Sequence, residues 1–148
     1  MKKTLTLSIG TFYIYTNYLV AVINEGATIT IESNKILEDI ARTYFATKKF
    51  VYITHRINSY AVDPVTYTRT SQIKNLAGFA VVSKNNVALS NAEIEKIFLK
   101  KPIGLFNNLD EAKDWAQSIL KSKEYHLIKA CIRGDGKAQF ELYEIGDS

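Results

Sequence analysis

The chain has 148 residues, of which 47% are apolar and 23% charged, and its formal net charge is +4. That is the length of one domain with apolar surface enough for a core, which excludes a disordered chain, and seven Gly and two Pro exclude collagen-like and linker-like classes. A single Cys excludes an internal disulfide and a Cys-based zinc cluster, and the two His, His55 and His126, are too far apart in sequence to suggest a His-rich metal site. No metal and no cofactor are expected.

The positive charge lies in the first half. Residues 1–75 carry nine Lys/Arg and five Asp/Glu, whereas residues 76–148 carry ten of each. A pI near 9.1 permits contact with acidic partners. Yet Lys2-Lys3, Lys48-Lys49 and Lys100-Lys101 never extend into the basic run of a nucleic-acid tail, so nucleic acid is not the expected partner. Thr4, Thr6, Ser8 and Thr11 interrupt what would otherwise pass for a signal peptide, and no stretch is long and apolar enough to span a membrane. With one unpaired thiol, Cys131, the expected address is the cytoplasm.

In chain order, residues 4–15 alternate as a strand whose apolar phase changes at Gly10, which suggests a bulge there. Thr16-Asn17 reads as a turn into a second strand over residues 18–24, making an antiparallel hairpin. Thr30 is a candidate N-cap, and Ile36, Leu37, Ile40, Ala41, Tyr44 and Phe45 form the apolar stripe of a helix closed by Lys48-Lys49. Residues 50–57 form a third strand, apolar enough to be covered on both faces. Asp63-Pro64 suits the start of a short helix over 64–74. A fourth strand spans 78–83. Ser90-x-x-Glu93 has the form of a capping box before Ile94, Ile97 and Phe98. A fifth strand spans 102–106. Asn108-x-x-Glu111 opens a helix carrying Ala112, Trp115, Ile119 and Leu120. Residues 125–133 and 137–145 around Gly134-Asp135-Gly136 read as a terminal hairpin.

Strands alternating with helices imply a largely parallel sheet with right-handed crossovers. The expected fold is one α/β domain over residues 1–123, with a mixed sheet of about five strands and four helices. A hairpin over 124–148 is expected to pack on the same domain.

This element order resembles the SpoIIAA-like fold shared by STAS domains and anti-sigma factor antagonists. The segment Tyr52-Ile53-Thr54-His55-Arg56-Ile57-Asn58-Ser59-Tyr60-Ala61-Val62-Asp63-Pro64 is similar to a small STAS/SEC14-like group from Bacteroidetes-type bacteria. So are Asn24-Glu25-Gly26, the stretch from Ile73 to Ser83, and Asn91-Ala92-Glu93-Ile94-Glu95-Lys96. The resemblance covers residues 4–121. It implies a non-enzymatic, protein-docking role, and in some members a switch by phosphorylation of a serine after a central strand, where this chain has Ser59. In place of an Asp-Ser-Ser-Gly-like stretch, this chain reads Asn58-Ser59-Tyr60-Ala61. A lipid-carrier role needs a large apolar cavity that 148 residues can hardly enclose.

Ligands of open α/β sheets bind beyond the carboxyl ends of the parallel strands. The third strand delivers His55, Arg56, Asn58 and Ser59 there, with Tyr60 and Asp63 following. The fourth delivers Ser83, Lys84, Asn85 and Asn86, and the fifth delivers Asn107 and Asn108. Arg56 and Lys84 near helix N-termini suit an anion, with Asn58, Ser59 and Asn108 to orient it. The competing reading pairs Asp63 with Arg56 and leaves the asparagines as caps and turns. Tyr13, Tyr15 and Tyr18 suit either a stacking surface for single strands or a protein interface. His55 is a general-base candidate, but no sequence partner orients it. The best-supported function is therefore a protein-docking or self-associating module, with contacts around loop 56–63. The alternative is a binder of a small anionic metabolite or lipid head group.

Overall fold

The structure is a computed structural model and describes residues 3–133. The chain divides into two compact units, residues 1–116 and 117–148. The sheet, three helices and the site belong to the first. The described part of the second is the continuation of the last helix to Arg133.

Two short strands, β1 (Lys3–Leu7) and β2 (Gly10–Ile14), lead into β3 (Tyr18–Ile23). The phase change at Gly10 is therefore a turn between two antiparallel strands and not a bulge within one: Leu7 pairs with Gly10, and Gly10 with Ile23. Local alternation is the same in both cases, and only the pairing distinguishes them. The Thr16-Asn17 turn between β2 and β3 stands as expected.

After β3 come β4 (Thr28–Ile29) and helix α1 (Ile31–Ile40). Thr30 caps α1 reciprocally, its Oγ1 accepting from Ser33 N–H at 3.3 Å while Ser33 Oγ accepts from Thr30 N–H at 3.2 Å. The helix widens into a π-turn over Ala41–Phe45. The wider turn keeps Leu37, Ile40, Ala41 and Phe45 all buried.

β5 (Phe50–His55), β6 (Ala61–Val62), α2 (Thr66–Thr70), β7 (Leu76–Val82), α3 (Asn86–Phe98), β8 (Ile103–Phe106) and α4 (Leu109–Arg133) complete the order. Three expectations change here. Asp63 caps no helix: its Oδ1 accepts from Val65 N–H at 3.3 Å in a turn, and α2 is only five residues long. Helix α3 starts at Asn85, whose Oδ1 accepts from Val87 and Ala88 N–H, which leaves Ser90 inside the helix. Residues 125–133 are helical rather than the first strand of a terminal hairpin. The second strand of that hairpin lies outside the described residues.

The main sheet has six strands in the order β1-β2-β3-β5-β7-β8. The first two pairings are antiparallel and the last three parallel. This is the mixed α/β sheet expected from the sequence, with one strand more. Phe50 and Tyr52 of β5 join the core beneath α1, while Phe79 and Val81 of β7 join that beneath α2 and α3. Val51, Ile53 and Ala80 face the other way and are fully buried too, which accounts for the near-continuous apolar runs. On that second face, Trp115 of α4 packs against Phe106 with ring centroids 5.6 Å apart.

A β-carbon at Gly10 would lie 2.4 Å from the Val22 carbonyl oxygen and 2.9 Å from Ile23 Cα. Both are backbone atoms of the neighbouring strand and cannot rotate away. Gly10→Ala should therefore destabilise the protein by about 2 kcal/mol in urea denaturation, as overpacking does. An unchanged midpoint would contradict the register of this hairpin.

Candidate functional site

The carboxyl ends of β3, β5, β7 and β8 open onto one solvent-accessible cleft of about 840 Å³. Parallel pairing puts those four ends on the same edge, so the loops that follow must converge there. Lining residues come from the loop after β5 (Arg56 to Tyr60), from Ser83, Lys84 and Asn85 after β7, from Asn107 after β8 and from Glu25 after β3. Tyr67 of α2 and Glu95 and Phe98 of α3 line it as well.

The loop after β5 is held at several points. Asn58 Nδ2 donates to the Ile23 carbonyl at 2.9 Å, and Ser59 N–H to Glu25 Oε1 at 2.9 Å. Gly26 N–H donates to the Ser59 carbonyl at 2.7 Å. Beyond it, β4 and β6 pair in parallel as a separate two-stranded sheet. The loop is thus zipped along the segment that follows β3. Ser59 itself is exposed, and Tyr60 is half-buried.

Arg56 is the centre of the cleft floor. Its guanidinium makes a bidentate pair with Glu95, Nη1 to Oε2 at 2.9 Å and Nη2 to Oε1 at 2.8 Å. The two side chains are only 11% and 14% exposed. Arg56 Nε also reaches Thr54 Oγ1 at 3.3 Å, and the guanidinium lies 5.6 Å from the Tyr60 ring centroid. Burial opposes the charge on Arg56, but the Glu95 hydrogen bonds and the adjacent Tyr60 more than offset it, so its pKa stands above the ordinary value. Tyr60 and Tyr67 are also held above the ordinary phenol value, chiefly by burial, and stay neutral at physiological pH.

The pairing of Arg56 with Asp63 is therefore replaced: the carboxylate comes from α3. Asp63 is exposed and lies outside the cleft lining, between Val62 and Pro64. Asn108 is outside it too, because its Oδ1 caps α4 by accepting from Glu111 N–H at 2.9 Å, as the sequence pattern indicated. Of the seven expected site residues, Arg56, Asn58, Ser59, Tyr60 and Lys84 come together at the cleft. Glu95, Tyr67 and Glu25 were missed. A lone arginine at the end of a buried strand calls for a carboxylate from the facing helix, and Glu93 or Glu95 could have been singled out on that ground.

The rim is apolar. Ile57, Val87 and Phe98 line the cleft and are 66%, 67% and 38% exposed. His55 stands at the end of β5 with the charges of Lys113 and Lys84 close by. Desolvation first, then Lys113 and Lys84, lower its pKa. The charged groups that act on it among the described residues are thus cations. The tyrosine cluster is not an open stacking platform. Tyr15 stacks on Tyr18 at 4.5 Å and is covered by Lys113 Nζ, 5.0 Å from its centroid. Among the described residues, no group of three His, Cys, Asp or Glu could hold a metal ion, and no helix is long and apolar enough to cross a membrane.

No family model and no curated protein matches the chain. It is similar to the crystal structure of an uncharacterized protein of the DUF3478 family with a SpoIIAA-like fold from Shewanella loihica PV-4. The identity is 13% and the TM-score 0.47, over 77% of this chain and 90% of that one. No residue role is carried over from it.

Two predictions follow from this geometry. Arg56→Met strands Glu95 among largely buried groups and should cost about 3 kcal/mol in chemical denaturation, with most of the loss recovered in Arg56→Met/Glu95→Met. Equal stability of the single and double variants would sink the pairing. His55 should titrate below 6.5 by NMR, and Lys113→Ala should raise its midpoint. A depressed histidine contributes stability that is complete above pH 6.5 and declines as pH falls from there towards its folded-state pKa, so His55→Gln should flatten that part of the pH–stability curve. A midpoint at or above 6.5 would contradict the cationic surroundings.

Proposed function

We propose that the chain is a non-enzymatic, STAS-like docking module whose partner seats on the rim of this cleft. The observation that carries the reading is that Arg56 is already spent. A ligand anion would have to displace Glu95 from a bidentate, largely buried pair. A protein partner need only cover Ile57, Val87 and Phe98, which stand exposed around it. Exposed apolar residues grouped around one cleft mark an interaction site, whereas scattered ones would mean little.

Ser59 is the modification point in this reading. It is exposed, and its N–H is held by Glu25 Oε1 at 2.9 Å. A phosphate on its hydroxyl would meet that carboxylate as a like charge and loosen the loop from the segment after β3.

One observation favours the anion reading. Lys84 is exposed at the cleft and close enough to His55 to act on its charge. An anion site there would rest on Lys84 and not on Arg56, and Lys84→Ala would abolish any stabilisation by inorganic phosphate.

The docking test uses the partner recovered by affinity capture, purified and titrated by calorimetry. Ile57→Glu and Val87→Glu should each weaken binding at least ~10-fold without lowering the melting temperature. Binding equal to the wild type in both variants, or no partner recovered above background, would overturn the reading.

A further inference from the structure

Beneath the cleft floor lies a second, small cavity of about 30 Å³. Arg56, Tyr60, Val62 and Tyr67 line both spaces and form the partition between them. Its lining is largely apolar but includes several hydroxyl and amide side chains. Asn34, Thr54, Thr66 and Thr70 also line it.

Two hydrogen-bonded groups of side chains approach this cavity from opposite sides. On the α1/α2 side, Arg69 Nη2 donates to Glu38 Oε1 at 2.9 Å, and Asn34 Nδ2 to Glu38 Oε2 at 3.1 Å. Thr70 Oγ1 donates to Asn34 Oδ1 at 3.0 Å. On the β5/α3 side, Glu95 holds Arg56, and Arg56 Nε reaches Thr54 Oγ1. Between them Thr66 is 2% exposed, and its Oγ1 has no hydrogen-bond partner among the described residues.

An orphaned hydroxyl in a dry site costs on the order of 1–3 kcal/mol, and buried polar atoms nearly always find a partner. A cavity holds a water once it offers about 10–15 Å³ of probe volume and two to four polar neighbours. This one meets both conditions. We propose that it is a specific site for one water molecule. That water is bound by Thr66 Oγ1 and bridges the Asn34–Thr70 group to the Thr54–Arg56 group. It would close a polar chain from Arg69 at the α2 surface to the floor of the docking cleft. The site is independent of what the cleft binds.

The test is a crystal structure at about 1.5 Å of the wild type and of Thr66→Val. Valine keeps the shape of threonine and removes the hydroxyl. The wild type should show one density peak within hydrogen-bonding distance of Thr66 Oγ1, and the variant should lose it. Thr66→Val should also melt about 2–5 °C lower, because the water and its other partners lose a bond, while Thr66→Ser keeps the peak. Absence of the peak in the wild type overturns the proposal. A Thr66→Val protein that melts higher than the wild type also overturns it, since removing an unsatisfied hydroxyl from a dry cavity is stabilising.

Discussion

One ion pair organises the edge of this protein where the parallel strands end. Arg56 leaves the end of β5, and Glu95 rises from α3, which lies 39 residues further along. Their two short, parallel hydrogen bonds fix the planes of both groups. They also fix where α3 sits over the strand ends, and hence where Phe98 and Val87 reach the surface. A buried pair of this kind contributes more to defining a single arrangement than to net stability, because desolvation consumes much of the attraction. Tyr60 and Tyr67 complete the floor. Both are phenols kept neutral chiefly by burial.

The second constraint is the parallel register. Because β3, β5 and β7 run the same way, the loops that follow them emerge side by side. Adjacency alone would leave those loops mobile. Here the β4–β6 ladder and the Asn58 and Ser59 hydrogen bonds tie the loop after β5 to the segment after β3. The surface at this edge is thus largely preformed, which would lower the ordering cost of an association there. Exposed Ile57 projects from a loop that is otherwise anchored.

Much of this was readable from short-range chemistry. The Thr30 and Asn108 caps, the Thr16-Asn17 turn and the apolar runs of β5 and β7 are all local signals, and all appear where the pattern places them. The failures share a cause. Ser90-x-x-Glu93 has the same form inside a helix as at its start, and only the Asn85 side chain accepting from Val87 and Ala88 N–H shows that the helix began there. Residues 125–133 are an apolar run that suits a strand or a helix equally by composition. The β4–β6 pairing joins two-residue strands 33 positions apart, far too short for any periodicity. At the site, Arg56 was recognisable as important, but its partner depends on how α3 crosses the strand ends. The sequence suggested Asp63 because it is near in the chain; the fold chose Glu95 because it is near in space.

The central claim is that Arg56 serves Glu95 and the fold, leaving the apolar rim to do the binding. The most direct measurement follows the Arg56 Nε–H resonance by NMR while inorganic phosphate and then AMP are titrated into the wild type. The account predicts that this signal stays at its free-protein position while Arg56 remains locked to Glu95. A saturable shift of that resonance would contradict it, since it would mean that an anion reaches the guanidinium and that the cleft is a ligand site.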